Sequence, residues 1–158
     1  MSKALIIGRF QPFHKGHLYL INQALKENDS VIIAIGSSQE SRTFNNPLTF
    51  LERKKIILSC IPKIRIIPCP DFKKDNDWAN YLIKKAKFNV IYSNNDWVKS
   101  IFLKRKIIVK GAKKMKGISA TKIRKMIKKG DLSYKKLIPK NSLKILNSLK
   151  FSEIIKNL

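Results

Sequence analysis

Both histidines of the chain lie in one four-residue stretch, His14-Lys15-Gly16-His17. A helix that begins near Lys15 would place the two imidazoles one turn apart at its N-terminal end, where free backbone N–H groups and the helix dipole attract a phosphate. Both rings could there donate hydrogen bonds to the same phosphoryl group. Gly16 leaves room for a phosphate or a base to approach closely, as a side chain would not. The spacing therefore predicts a phosphate site.

A second polar segment, residues 119–124, lies far along the chain. Ser119 is a suitable N-cap for a predicted helix that ends before Gly130. The start of this helix is therefore a second place to search for a ligand site.

Short apolar runs that alternate with helical patterns predict the frame that positions these segments. Five runs predict strands, at residues 4–7, 31–35, 64–67, 90–92 and 107–109, and the first two have the pattern of buried strands. The intervening helices include one that starts at the capping box Thr49-x-x-Glu52 and one that Asp75-Asn76-Asp77 would cap. The pattern is typical of a single doubly wound, Rossmann-like α/β domain spanning residues 1–158, with a parallel sheet of about five strands and a short helical C-terminus. Ligands bind beyond the carboxyl ends of such strands, where both polar segments are expected.

The charge balance is strongly basic. Lys and Arg number 34 against 10 Asp and Glu, for a formal net charge of +24. Residues 104–129 hold 12 of the basic residues and no acid. Such a field attracts anions, so nucleotides, nucleic acids and anionic lipids are all compatible with the charge alone.

Other features narrow the class of protein. No apolar run approaches the roughly 18 residues of a membrane span, and the chain enters its first strand without a cleavable leader, so we expect a cytoplasmic protein. The two cysteines, Cys60 and Cys69, lack CxxC spacing and are expected to be small, buried, unbridged side chains.

Both polar segments match signatures of a known family. Residues 8–17, Gly-Arg-Phe-Gln-Pro-Phe-His-Lys-Gly-His, resemble the His-x-Gly-His signature of the nucleotidyltransferase superfamily, and residues 118–124, Ile-Ser-Ala-Thr-Lys-Ile-Arg, are similar to its second signature. Further similarities lie at residues 36–41, 46–53 and 92–95, and at Asp71 ahead of Trp78. Over essentially the full length, the chain resembles the archaeal-type nicotinamide-nucleotide adenylyltransferases.

The resemblance implies a reaction and a set of roles. The family transfers the adenylyl group of ATP to nicotinamide mononucleotide, giving NAD and pyrophosphate, with Mg²⁺ carried on the ATP and no metal site of the protein's own. The acceptor phosphate attacks the α-phosphorus directly, so no protein nucleophile is needed. Catalysis would rest on His14, His17 and Arg124. The resemblance further implies ATP contacts from Gly8, Arg9, Phe10, Gln11, Phe13, Gly16, Ser119, Thr121 and Ile123, and acceptor contacts from Gly36, Ser37, Asp71, Trp78 and Asn95.

Some positions depart from the family pattern. Asp75 stands where relatives place an asparagine ahead of the tryptophan, and Asn45 and Asn94 also differ near the second substrate, while Ala120 and Lys122 differ in the second signature. A related reaction with phosphopantetheine or flavin mononucleotide as acceptor therefore stays open. From a different class, a basic nucleic-acid-binding module is the alternative, although it leaves the paired histidines unexplained. The resemblance also implies a homo-oligomer, often a hexamer, that requires neither a membrane nor a nucleic acid.

Overall fold

A computed structural model describes residues 1–158 and contains one five-stranded parallel sheet. The strands pair in the order β3-β2-β1-β4-β5. Their bounds are β1 Lys3–Gly8, β2 Ser30–Ile35, β3 Arg65–Pro68, β4 Val90–Tyr92 and β5 Ile108–Lys110. The parallel sheet and its five strands confirm the fold class. Strands β2 and β4 are largely buried, as expected for parallel strands covered on both faces, whereas the edge strand β5 is partly exposed, with Ile108 58% exposed.

Helices cover both faces of the sheet. They are α1 Lys15–Glu27, α2 Phe50–Leu58, α3 Asp75–Ala86, α4 Asp96–Leu103, α5 Ala120–Lys128, a 3₁₀ helix Leu132–Leu137, α6 Lys140–Ser148 and α7 Phe151–Asn157. The larger core cluster joins α1, α2, α5, α6 and α7 to one face, and the smaller one joins α3 and α4 to the other. The doubly wound arrangement and the helical C-terminus are as predicted, whereas α4 has no counterpart in the sequence prediction.

Helix caps follow the sequence at two of three predicted places. Thr49 Oγ1 accepts from the Glu52 N–H at 3.2 Å while the Glu52 carboxylate accepts from the Thr49 N–H at 2.8 Å. Ser119 Oγ accepts from the Lys122 N–H at 3.1 Å. The predicted cap by Asp75-Asn76-Asp77 is wrong, because α3 begins at Asp75 with no side-chain cap. The Asp75 carboxylate instead accepts a hydrogen bond from Trp97.

Both cysteine thiols are free, as expected. Cys69 is buried, and burial raises the pKa of its thiol to about 11. Cys60 is only half-buried, which corrects the expectation that it is buried. Its sulfur contacts the Ser142 hydroxyl of α6 at 3.2 Å. None of the helices combines the length and the apolar character of a membrane span.

Candidate functional site

The two histidines cap the first helix reciprocally. His14 is the N-cap of α1, and its Nδ1 accepts from the backbone N–H groups of Gly16 at 3.1 Å and His17 at 3.4 Å. The His14 backbone N–H in turn donates to His17 Nδ1 at 3.2 Å, and the rings stack with centroids 3.6 Å apart. Because both Nδ1 atoms are acceptors, the proton of each neutral ring lies on Nε2. The caps thus leave each ring with one N–H donor.

Gly16 serves this cap directly. A Cβ atom placed on Gly16 would lie 2.9 Å from Cε1 and 3.0 Å from Nδ1 of His14, too close for any side chain. The glycine therefore lets the imidazole reach the backbone N–H groups, a reason that the sequence did not reveal. The predicted approach of ATP to Gly16, which lines the cleft described below, stays a prediction.

Both imidazoles are neutral at physiological pH. Burial lowers the pKa of His14 from 6.5 to about 4. Burial and the neighbouring His14 lower the pKa of His17 well below its ordinary value. A neutral ring with its proton on Nε2 can donate to an anionic oxygen without the desolvation cost of a buried charge.

The low pKa of His14 predicts a pH-dependent stability. The group is neutral in the folded state between pH 4 and 6.5 but protonated there after unfolding, so its contribution is complete above pH 6.5 and is lost as the pH falls. We expect wild-type protein to lose about 2 kcal/mol more unfolding free energy between pH 7.5 and 5 than His14→Asn does. Urea unfolding at both pH values measures this, and equal losses in the two proteins would contradict the pKa.

A cleft of about 340 Å³ opens beside the imidazoles. It lies between the start of α1 and the segment that leads into α5. Its lining residues are His14, Gly16, His17, Leu20, Ala112, Lys113, Lys114, Met115, Ile118, Ser119 and Ala120. Two imidazoles, two ammonium groups and the N-terminal ends of two helices therefore meet there, with no carboxylate in the lining. This is the electrostatic setting of a polyphosphate site.

Arg124 lies beneath the histidine segment rather than in the open cleft. Its side chain is buried, and its Nη1 donates to the Gln11 carbonyl at 2.7 Å while Nη2 donates to Thr121 Oγ1 at 3.3 Å. Nε has no partner. Burial and the nearby Arg9 lower the pKa of the guanidinium. The predicted proximity of Arg124 to the histidine segment is thus present, and its contact with phosphate stays a prediction.

Several residues that were predicted to contact ATP pack around the segment that carries the histidines. Phe10 and Phe13 are buried, and their ring centroids lie 4.7 and 5.7 Å from that of His17. The Phe10 ring covers Gly8, where a Cβ would approach it to 2.9 Å. The Gln11 side chain is also buried and makes two 2.9 Å hydrogen bonds to the Leu48 backbone. These side chains position the segment.

The remaining predicted ATP residues differ in exposure. Arg9 is exposed, while Ile123 is wholly buried in the core below α5. The direct contacts of these residues with ATP stay predictions.

Arg53 connects two loops of the site, a role that the sequence analysis did not assign to it. It is wholly buried, and its guanidinium donates to the carbonyls of Arg9 at 3.0 Å, Gly36 at 2.8 Å and Ser37 at 3.1 Å. Burial, with the charge of Arg9 adding to it, lowers its pKa to about 10. One side chain thereby joins the loops after β1 and β2. The signal in the sequence is a charged residue on the helix face that also carries Ile56 and Ile57.

Two of the predicted acceptor residues join neighbouring loops. Asp71 accepts from Ser37 Oγ at 3.0 Å and from Gln39 Nε2 at 2.7 Å, which links the loops after β2 and β3. The Gly36 N–H donates to the Gly8 carbonyl at 2.8 Å. The structure therefore brings Gly36, Ser37 and Asp71 together at the carboxyl end of the sheet.

Trp78 and Asn95 form a neighbouring group with a residue that the sequence prediction missed. Asn95 Oδ1 caps α4 by accepting from the Trp97 N–H at 2.9 Å. The Trp97 ring lies 4.8 Å from the half-buried ring of Trp78, and its Nε1 donates to Asp75 Oδ2 at 3.0 Å. Trp97 escaped notice because α4 itself was not predicted.

The sequence is similar to curated proteins from archaea. Residues 5–126 match the family described as cytidylyltransferase-like. A nicotinamide-nucleotide adenylyltransferase from Thermoplasma acidophilum is 39% identical over 82% of this chain and 77% of that protein. One from Saccharolobus solfataricus is 38% identical over 95% of this chain and 92% of that protein.

Solved structures show the same architecture. A bifunctional NMN adenylyltransferase/ADP ribose pyrophosphatase from Francisella tularensis superposes with a TM-score of 0.83 at 28% identity, covering 99% of this chain and 52% of that one. A structure of that kind complexed with AMP and a Mn ion gives a TM-score of 0.79 at 27% identity. The chain spans about half the length of the bifunctional protein.

Proposed function

We infer the function of the chain from its family. It belongs to the cytidylyltransferase-like family and, within it, to the nicotinamide-nucleotide adenylyltransferases. It is an enzyme that transfers the adenylyl group of ATP to nicotinamide mononucleotide. The observation that carries the site assignment is the pair of stacked, neutral imidazoles whose Nδ1 atoms are engaged in the cap and whose Nε2–H groups remain as donors. We place the reaction in the cytoplasm, in a single domain of residues 1–158.

The proposed step needs no protein nucleophile. An oxygen of the acceptor phosphate attacks the α-phosphorus of ATP, the bond from that phosphorus to the bridging oxygen breaks, and pyrophosphate leaves with the electron pair. His14 and His17 donate from Nε2 to the phosphate oxygens, and Lys113 and Lys114 line the same cleft with positive charge. Holding two reactants in line supplies about 7–11 kcal/mol of the barrier reduction in such reactions. Positioning and charge stabilisation thus suffice.

A divalent metal is expected on the nucleotide. The structural neighbour from Francisella tularensis is complexed with AMP and a Mn ion. The cleft lining of this chain contains no carboxylate, and no cluster of three His, Cys, Asp or Glu side chains occurs in the structure. These residues do not fit a metal centre built by the protein. We therefore propose that Mg²⁺ enters with the phosphates of ATP.

The decisive assay uses ATP that carries ³²P at its α-phosphate and follows where this label goes. With nicotinamide mononucleotide we expect labelled NAD and an equal amount of pyrophosphate. Phosphopantetheine and flavin mononucleotide serve as competing acceptors and should give neither product. Label transfer to one of them, with none to nicotinamide mononucleotide, would overturn the proposed acceptor while leaving the ATP site intact.

Trp78 is the proposed stacking surface for the nicotinamide ring. Its half-buried ring lies at the carboxyl end of the sheet next to Trp97. We expect Trp78→Ala to raise the Michaelis constant for the acceptor about tenfold, since aromatic pairs contribute about 0.5–1.5 kcal/mol beyond burial. The Michaelis constant for ATP should change little. Steady-state kinetics with each substrate varied in turn measure both, and Trp78→Phe is the matched control. Equal increases for both substrates would show that Trp78 acts through the core.

A further inference from the structure

One wall of the cleft beside the imidazoles is a segment without helix or strand. Residues 111–118 lie between β5 and α5, and we call them the cleft wall. They supply five of the eleven residues that line the cleft, which are Ala112, Lys113, Lys114, Met115 and Ile118. No backbone–backbone hydrogen bond involves any residue of the cleft wall. The hydrogen bonds that hold it therefore come from side chains.

Asn94 holds the beginning of the cleft wall. Its Oδ1 accepts from the Ala112 N–H at 3.0 Å, and its Nδ2 donates to the Ala112 carbonyl at 2.6 Å. Strands β4 and β5 pair Tyr92 with Lys110, so residues 94 and 112 come next to each other just beyond the sheet. Because a side-chain amide carries the same donor and acceptor as a peptide group, Asn94 continues the pairing where the backbone ladder ends.

Gln23 holds the next residue of the cleft wall from helix α1. Its Oε1 accepts from the Lys113 N–H at 3.2 Å, and its Nε2 donates to Glu27 Oε1 at 3.1 Å. The other carboxylate oxygen of Glu27 accepts from the Tyr92 hydroxyl at 2.6 Å. These hydrogen bonds fix the direction of the Gln23 amide, so that its oxygen faces the cleft wall. The helix that carries His17 thereby also positions the other side of the cleft.

The segment held in this way carries the positive charge of the cleft. Lys113 and Lys114 line the cleft, are exposed, and take part in none of the ion pairs of the structure. Their side chains are long and flexible, so the place of each ammonium group depends on where its backbone is held. A backbone that is already ordered lowers the entropy cost of binding an anion there.

We propose that Asn94 and Gln23 are positioning residues that hold the cleft wall where it binds the phosphates of ATP. The inference rests on the proposed function, because it takes the cleft as the ATP site. Neither side chain lines the cleft, so each acts through the backbone of Ala112 or Lys113. Lysines placed in this way bind the triphosphate equally in the ground state and in the transition state. Their displacement should raise the Michaelis constant for ATP and leave kcat near its wild-type value.

The experiment measures the Kd of ATP by calorimetry without the acceptor, and then KM and kcat in adenylyl transfer. Asn94→Ala removes both hydrogen bonds to Ala112 and changes no charge. We expect it to raise the Kd and the Michaelis constant for ATP about fivefold, since each exposed ion pair contributes modestly. The Michaelis constant for the acceptor should change little. Gln23→Ala removes one longer hydrogen bond to the cleft wall and should give a smaller rise of the same kind.

Asn89→Ala is the matched control. Asn89 immediately precedes β4 and is exposed, as Asn94 is. Its amide also binds the backbone at both ends, accepting from the Lys3 N–H at 2.8 Å and donating to the Met1 carbonyl at 3.1 Å. The change should lower the melting temperature and leave the Kd of ATP at its wild-type value, because Asn89 lies at the amino end of the strand, away from the cleft.

The outcomes separate this inference from the proposed function. An unchanged Kd of ATP in Asn94→Ala, or an equal rise in Asn89→Ala, would overturn this inference alone. A lower kcat with an unchanged Michaelis constant for ATP would do the same, since a merely destabilised protein gives that result. A wild-type protein that binds ATP but forms no NAD would overturn the proposed function, and the Kd of ATP in Asn94→Ala would still decide the role of Asn94. A wild-type protein that does not bind ATP would overturn both.

Discussion

Replacing His14 by alanine should lower turnover about 10²–10³-fold, the usual effect of losing one donor to the charge that develops in a transition state. The same replacement should also destabilise the protein by about 1 kcal/mol, because His14 caps α1 through Nδ1 and alanine is a poor N-cap. His14→Asn separates the two roles. Asparagine is among the best N-caps, yet it places no N–H where Nε2 lies, so it should restore stability without restoring turnover.

Two measurements decide this prediction. In thermal unfolding, wild type and His14→Asn should have similar melting temperatures, and His14→Ala should have a lower one. Adenylyl transfer should instead place both variants far below wild type. Normal turnover in His14→Asn would show that His14 is only a cap. His17→Ala should lose turnover to a similar degree, since the His17 ring supplies the second Nε2 donor and stacks on His14.

The neutral histidines explain how a protein of net charge +24 can organise this site without burying further cations. The positive groups of the cleft, Lys113 and Lys114, are exposed, where hydration tolerates their charge. The imidazoles lie deeper and are uncharged because burial lowers their pKa. In the proposed mechanism the exposed cations attract the phosphates at long range, and the neutral imidazoles hold them by hydrogen bonds.

Local sequence signals were sufficient for the sheet and for two of the caps. Apolar runs predict strands because a central parallel strand is buried on both faces. Thr49 and Ser119 predict the starts of α2 and α5, because each is an N-cap residue that accepts a hydrogen bond from a backbone N–H a few positions later. The position of the paired histidines at the start of α1 follows from the same kind of signal. Each of these features depends on residues within a few positions of one another.

Features that depend on distant contacts were not predictable. Arg53 donates to carbonyl groups of two loops that precede it in the chain. Its place on the apolar face of α2 indicates that it is buried, but nothing in the local sequence identifies those carbonyl groups. Helix α4 spans only eight residues, too few for a clear periodicity, so Trp97 was missed with it. The contact between Gly16 and the His14 ring was not predicted either, because it depends on the conformation of the His14 side chain.

Arg124→Ala should have the second largest effect, lowering turnover about 10²-fold or more. The guanidinium holds the Gln11 carbonyl at 2.7 Å and so ties α5 to the segment that carries His14. Its loss leaves a buried carbonyl unpaired, which costs about 1–3 kcal/mol of stability. Its Nε, buried and without a partner, is the donor that we expect a phosphate oxygen to engage.

Arg124→Lys distinguishes the fold from the chemistry. Lysine keeps the charge but presents one compact group rather than a planar fork, so it cannot hold Gln11 and a phosphate at the same time. We expect near-normal stability without nucleotide, a smaller rise in melting temperature on adding ATP, and turnover well below wild type. Arg65→Lys, which also alters an arginine bonded to a backbone carbonyl, should leave turnover unchanged. An ATP-induced shift in Arg124→Lys equal to that of wild type would confine Arg124 to a structural role.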